Sequence, residues 1–438
     1  MFQSSTRIGL ILLTFLLWGC SNQQTPLVDS TPATIENSLE TTPVTPVTFS
    51  VPSTDWHQWG GPNGNGILND STSKVDWNAE PKIQWRHQIG LGYSNVAVVD
   101  QTVHAYGHTD GKETLFALDL ESGQVQWQQS VESQLMDNLH KGGPGGTPLV
   151  SGSTIVVLSK QGDLHARNVS NGELLWTVRL PEAFELETPE WGFTGAPVLL
   201  DSETLIIECG VVAALSLKTG ETLWKTEKHD AGYGAPIVFE HEAQTLIAYL
   251  NNEALQILDA EQGTVLSEFP WKTKFKTSAT TPLILKDQFF ISTGYNRGCT
   301  LLNWNDQKLE QVYETKTLRA HMTTPLLLGE AIYGIDGNSH SRRTCQLVCI
   351  NAQTGERNWE ERGFGCGSLI AVNDVLIVLS DKGELVIAKA DPTQFAPLNR
   401  LQVLEDDKIW TAPVFAQGQV LCRGSSGELV CVDFRPSI

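Results

Sequence analysis

One eleven-residue pattern recurs along the chain and leaves little freedom in what it can fold into. It reads ALDLESGQVQW from Ala117, ARNVSNGELLW from Ala166, ALSLKTGETLW from Ala214 and CINAQTGERNW from Cys349. Each copy carries a small residue, then a short polar one (Asp119, Asn168, Ser216 or Asn351), then a glycine (Gly123, Gly172, Gly220 or Gly355), and ends on Trp127, Trp176, Trp224 or Trp359. A further copy, ILDAEQGTVLS, keeps Asp259 and Gly263 but has Ser267 in the tryptophan slot; copies near Asn303 and Lys389 are worn down further. The short polar side chain can hydrogen-bond the backbone of a turn, and glycine accepts the positive φ the turn needs, so each copy is a hairpin corner. The tryptophan then falls on the following strand. There its ring can pack on a neighbouring unit, with the small residue leaving it room.

A second signature opens each unit: TPLV at Pro148, APVL at Pro197, APIV at Pro236, TPLI at Pro282, TPLL at Pro325 and APVF at Pro413, with Val96 and Ser368 filling two more slots. Proline suits the first position of a strand, where its missing N–H costs no ladder bond. The eight starts are spaced by about 45 residues, the period of a four-stranded propeller blade. The pattern predicts an all-β chain: an eight-bladed β-propeller of four-stranded antiparallel blades. The last copy, LVCVDFRPSI, ends before any outer-strand tryptophan, whereas KIQWRHQ near the front has Trp85 and no blade of its own. Residues 82 to 88 are therefore expected to supply the fourth strand of blade 8 and close the ring.

The front of the chain reads as a targeting signal, with Arg7 ahead of an apolar run from Ile8 to Trp18 that is too short to span a bilayer. Its end, LLWGC, resembles a lipoprotein cleavage site. This divides the chain into a signal peptide (1 to 19), a Thr/Pro/Ser-rich disordered tether on a lipidated Cys20 (20 to 54) and the propeller (55 to 438). Ser21 after the lipidated cysteine goes with the outer membrane, placing the domain in the bacterial envelope, facing the periplasm. With 30 basic against 50 acidic residues and a net charge of -20, nucleic acid is an unsuitable partner. Seven further cysteines are scattered without metal-binding spacing, and their odd number leaves at least one thiol free unless it bonds between chains. The glycine-rich stretch WHQWGGPNGNG, 56 to 66, lacks the lysine and helix of a phosphate-binding loop. Its glycines are read as tight turns, with Trp56, Trp59 and Trp77 pinning the segment to the ring.

The repeat A-x-D-x-x-x-G-x-x-x-W, best kept from Ala117 to Trp127 and from Ala214 to Trp224, resembles the tryptophan-docking motif of the pyrroloquinoline-quinone-like (quinoprotein-like) β-propeller family. WHQWGGPNGNG and the blade starts WGFTGAP and AGYGAP are similar to an exported subgroup described as BamB-like, after the outer-membrane β-barrel assembly lipoprotein. The resemblance implies docking roles for Trp85, Trp127, Trp176, Trp224 and Trp359. It also implies a non-catalytic, lipid-anchored, monomeric scaffold for protein partners at the cell envelope, with no cofactor. The enzyme branch of the family implies the alternative, a dehydrogenase using pyrroloquinoline quinone with calcium. That branch often has adjacent disulfide-bonded cysteines, which are absent here, and no set of calcium ligands can be assembled from the sequence. A ligand- or glycan-binding propeller stays open as well.

Residues just before the inner strands should ring one channel mouth: Lys141, Trp191, Phe193, Tyr233, Lys276, Arg319, His321 and Trp410. Aromatic and cationic groups there suit a peptide or an anionic ligand. In WKTKFK, Lys272, Lys274 and Lys276 alternate; on a strand they would share one face, as an edge guard or a site for an acidic partner. His104 and His108 have no third ligand nearby and read as packed or surface histidines.

Overall fold

The computed structural model describes residues 45 to 46, 55 to 138 and 140 to 436, so the signal peptide, Cys20 and most of the tether lie outside the described residues. Eight blades of antiparallel strands follow one another in chain order: blade 1 (97–132), blade 2 (149–179), blade 3 (198–225), blade 4 (237–270), blade 5 (283–315), blade 6 (326–361), blade 7 (368–402) and blade 8 (414–433). Together they form an eight-bladed β-propeller. Blade 8 takes its fourth strand from Lys82–Gln88, which pairs antiparallel with Glu428–Asp433 so that Lys82 faces Asp433 and Trp85 faces Cys431. The ring closes as the sequence predicts. Arg423 fastens the same seam from inside: fully buried, it donates to the carbonyl oxygens of Ser94 at 2.6 Å and Tyr106 at 2.8 Å. Burial without a facing carboxylate pulls its pKa down to about 9.

The repeat motif builds the blade junctions. Asp119 accepts from the Ser122 backbone N–H at 2.8 Å, and Asn168 and Asn351 hold their corners the same way. The tryptophan of one blade then reaches the corner of the next. Trp85 donates its indole N–H to the Leu120 carbonyl at 2.8 Å, Trp127 to Val169 at 3.1 Å, Trp176 to Leu217 at 3.0 Å, Trp224 to Ala260 at 3.0 Å and Trp359 to Asp391 at 2.9 Å. Room for the ring comes from the motif glycine, which corrects the role given above to the small residue. A Cβ on Gly172 would meet the Trp127 ring at 2.7 Å, and one on Gly220 the Trp176 ring at 2.8 Å. The small residue instead pairs across the hairpin with the tryptophan of its own blade, as Ala117 does with Trp127. Each motif glycine thus meets two demands, a positive φ and a bare surface.

The cysteines divide unevenly. Cys345 and Cys366 form a disulfide that ties the start of the Gln346–Asn351 strand in blade 6 to the loop entering blade 7. Cys209, Cys299, Cys349, Cys422 and Cys431 are free and buried, and burial pushes their thiols up, that of Cys299 to about 12. His104 and His108 are both buried.

Candidate functional site

The leading segment runs across the propeller channel. Trp56 bridges Val98 of blade 1, the His57 carbonyl accepts from Val150 of blade 2 at 2.8 Å, and Gln58 accepts from Leu199 of blade 3 at 3.1 Å. Further on, Ile67–Leu68 runs parallel to the inner strand of blade 7, pairing with Ala371 and Val372. Blades 3 and 7 face each other across the ring, so the segment spans its diameter and forms a floor. The turns that fold it need glycine: a Cβ on Gly60, at φ 69°, would lie 2.6 Å from the Gly64 backbone. Trp56 is fully buried, Trp59 packs on the cluster between blades 3 and 4, and Trp77 lies 5.0 Å from the Phe434 ring of blade 8. An additional pairing sets Thr45–Pro46 beside the inner strand of blade 4.

Above the floor is a cavity of about 450 Å³, walled by the inner-strand residues Leu326 and Ile370 and by Ala196 and Ala235 just ahead of theirs. Its upper part is lined by groups from the loops that enter successive blades: Tyr93, His140, Trp191, Tyr233, His321 and Trp410. Tyr93 stacks on Trp410 with centroids 4.9 Å apart, and Trp191 lies 5.6 Å from Tyr233. Among the described residues no Asp or Glu lines this chamber, in a protein of net charge -20.

Its polar lining combines Thr, Ser and Asn side chains with hydrogen-bond donors and two lysines, Lys160 and Lys408. The Gly142 N–H donates to His140 Nδ1 at 2.9 Å and the Ser339 N–H donates to His321 Nδ1 at 3.1 Å, so each neutral ring carries its proton on Nε2. Burial, aided by Lys160 for His140 and by His340 for His321, lowers both pKa values to about 4 and keeps the rings neutral. The Nε2 of His140 and the indole N–H groups of Trp56 and Trp410 are buried and have no hydrogen-bond partner among the described residues. Lys160, 3% exposed, also reaches the chamber; its Nζ donates to the Trp191 carbonyl at 2.6 Å. Burial lowers its pKa to about 8, partly offset by the field of Glu113. The charged amine therefore costs folding stability below about pH 8, and that cost is relieved as pH rises from there toward the ordinary value of 10.5.

The rim residues expected from the sequence separate into groups. Trp191, Tyr233, His321 and Trp410 do line the chamber. Phe193 does not: it is buried in the core between blades 2 and 3, against Gly162. Lys141 is bound to Asp406, Asp407 and Ser426, which tie the loop entering blade 2 to blade 8 and the loop before it. Arg319 forks onto the buried Asp336 at 2.8 and 2.7 Å. WKTKFK is not a strand, so its lysines share no strand face. The outer strand of blade 4 stops at Pro270, Trp271 sinks fully into the core with its N–H on Thr293, and Phe275 and Lys276 turn the chain at φ 63° and 50°. Lys276 pairs with Asp230 at 2.8 Å, Lys272 lies 3.7 Å from Glu253, and Lys274 sits over the exposed Phe275 ring. Lys160 and His140 were missed, since a lysine in a Gly turn and a loop histidine look like any solvated residue.

For a calcium ion the described chamber lining offers few oxygen ligands. Its amide oxygens are engaged, Asn65 by the Ile67 N–H at 3.0 Å and Asn95 by the Val96 N–H at 3.1 Å, and no carboxylate joins them. Nor is there any cluster of three or more His, Cys, Asp or Glu suited to a metal among the described residues.

A family model described as outer membrane protein assembly factor BamB matches residues 111–361, more than half of the chain. The chain belongs to this family. A BamB-family relative from Yersinia pestis, an outer membrane protein assembly factor BamB, is 23% identical over 403 residues, covering 84% of this chain and 94% of the relative. Among solved structures, BamB from Moraxella catarrhalis superposes with a TM-score of 0.60 at 15% identity, covering 82% of this chain and 99% of its own. A quinohemoprotein alcohol dehydrogenase from Comamonas testosteroni has a TM-score of 0.61 at 10% identity, covering 88% and 82%. At such identities these two share the fold.

Proposed function

We propose that this chain is an exported, lipid-anchored propeller that acts as a non-catalytic docking scaffold for proteins at the bacterial outer membrane, with no resident quinone. The observation that carries the reading is the match along nearly the whole length of an assembly factor BamB. The leader of residues 1 to 19, Cys20 directly after it and the tether that follows support an anchor. No helix among the described residues is long and apolar enough to cross a membrane. Between blades 4 and 5, the turn carrying Lys272, Lys274, Phe275 and Lys276 offers a partner an exposed aromatic ring among cations.

Affinity purification from cross-linked envelopes tests the scaffold role. The unaltered chain should recover a discrete envelope protein, and a variant with Lys272, Lys274 and Lys276 all changed to Glu should lose most of it. Equal recovery by the two would remove this turn from the docking surface, and no specific partner would overturn the scaffold reading. Radiolabelled palmitate should enter the unaltered chain and not Cys20→Ser.

A further inference from the structure

The chamber is a built site whose chemistry is one-sided. Its lining groups that lack partners are donors, it contains a buried amine, and no carboxylate is among its described lining residues. An indole N–H as deeply buried as that of Trp56, left without an acceptor, costs about 1 to 3 kcal/mol. A ligand that brings acceptor oxygens would recover this. The apolar walls and the aromatic groups at the mouth require that the same ligand carry an apolar body. A simple inorganic anion would satisfy the donors and leave the walls empty. A neutral apolar molecule would leave the charge of Lys160 uncompensated and three donors unanswered.

We propose that the chamber binds a carboxylate borne on an apolar body, with Lys160 as its counter-ion and Trp56, Trp410 and His140 as hydrogen-bond donors. Two sources supply that chemistry: the C-terminal residue of a polypeptide, or a free small organic acid. Residues 56 to 68 cross the channel beneath the chamber, between blades 1 to 3 and blade 7, which assigns entry and exit of the ligand to the aromatic mouth. A chain end fits this arrangement and an internal chain segment does not. Lys160 remains protonated at neutral pH despite its burial, and Glu113, the nearest acidic influence on it, is held by the Tyr106 hydroxyl at 2.6 Å.

Calorimetric titration of the full chain tests the assignment, with N-acetylphenylalanine, its methyl ester, its primary amide, and the peptide Ala-Ala-Ala-Phe with a free or an amidated C-terminus. The free acids should bind at least tenfold more tightly than the corresponding ester and amides, and Lys160→Gln should abolish that preference. Trp410→Phe, which keeps an aromatic group but removes the N–H, should weaken binding of the acid by several-fold more than it weakens binding of the ester. Tighter binding of the peptide acid points to a chain end, and binding of only the small acid to a free metabolite; both support the site. Equal binding of acid, ester and amide, or no binding of any, overturns it, as does an undiminished preference in a folded Lys160→Gln. Should Lys160→Gln fail to fold, the comparison of acid with amide on the unaltered chain decides. The three-lysine turn is not altered here, so failure of this site leaves the envelope docking experiment standing.

Discussion

The junction from blade 1 to blade 2 and the junction from blade 4 to blade 5 solve one problem in opposite directions. In the first, Trp127 leaves the outer strand, lies on Gly172 and donates forward to Val169. In the second, Ser267 stands in the tryptophan slot, and Trp304 comes back from blade 5, donating its indole N–H to the Ser267 hydroxyl at 3.1 Å. Two other junctions substitute the side chain and keep the direction. Tyr313 donates to the Ala352 carbonyl at 2.9 Å, and Asn399 donates to Ala79 at 2.6 Å. A junction therefore requires a side chain that covers the seam and a donor that satisfies a buried acceptor across it; the residue type and the side it comes from are negotiable.

The comparison breaks most visibly where the ring closes. Trp85→Ala should cost about 3 to 5 kcal/mol in denaturant unfolding, because it removes a buried indole at the seam joining the chain ends. A loss no greater than that of the half-exposed Trp127→Ala would deny the closure any special weight. Next, Ser267→Trp should destabilise by about 1 to 3 kcal/mol, since Trp304 already fills the space. Adding Trp304→Ala should recover much of that loss in a double-mutant cycle, whereas additive losses would mean that the two rings do not compete. A finer contrast pairs Gly172→Ala with Gly152→Ala. Both glycines have positive φ, at 72° and 56°, but only Gly172 carries a ring, so its substitution should cost about 1 kcal/mol more. Asn399→Ala, which removes only a donor, should cost about 1 kcal/mol.

The smallest contrast is one of slope. Junction donors are uncharged and should unfold with no pH dependence of their own, whereas the chamber holds a cation. Between pH 8 and 10 the unaltered chain should gain stability relative to Lys160→Gln, as the buried amine loses its proton in the folded state before the unfolded one. Glu113 behind the amine and His140 beside it are the ionisable groups coupled to it. Parallel melting curves for the two proteins would place the amine in water.

Blade number and closure were legible because a hairpin corner needs Asp or Asn and Gly at fixed offsets, and these recur in register. The worn junctions were not. The hairpin of blade 5 is longer, so Leu301 pairs with Tyr313 and a fixed offset lands on Gln311. The floor was half legible: Trp56 and the glycines announced a pinned, turning segment, but two-residue pairings such as Ile67–Leu68 carry no periodic signal. The mouth was legible by position alone, which cannot distinguish Trp410, facing the chamber, from Phe193, turned into the core, or from Arg319, held by Asp336. Lys160 sits on a turn between the second and third strands of its blade, so a search restricted to loops before inner strands passed it by.

The strand lent to blade 8 also sets a timetable. Gln84 and its neighbour Arg435 are 351 residues apart, among the most distant partners the molecule possesses. A chain emerging from its amino end must keep Lys82–Gln88 unpaired until the final blade has appeared, with seven sheets waiting in an open arc whose edges can join other chains. Contacts of such long separation form slowly. The interval before closure is when this protein is most exposed to misassembly, and its safe completion depends on Glu428–Asp433 finding Lys82–Gln88.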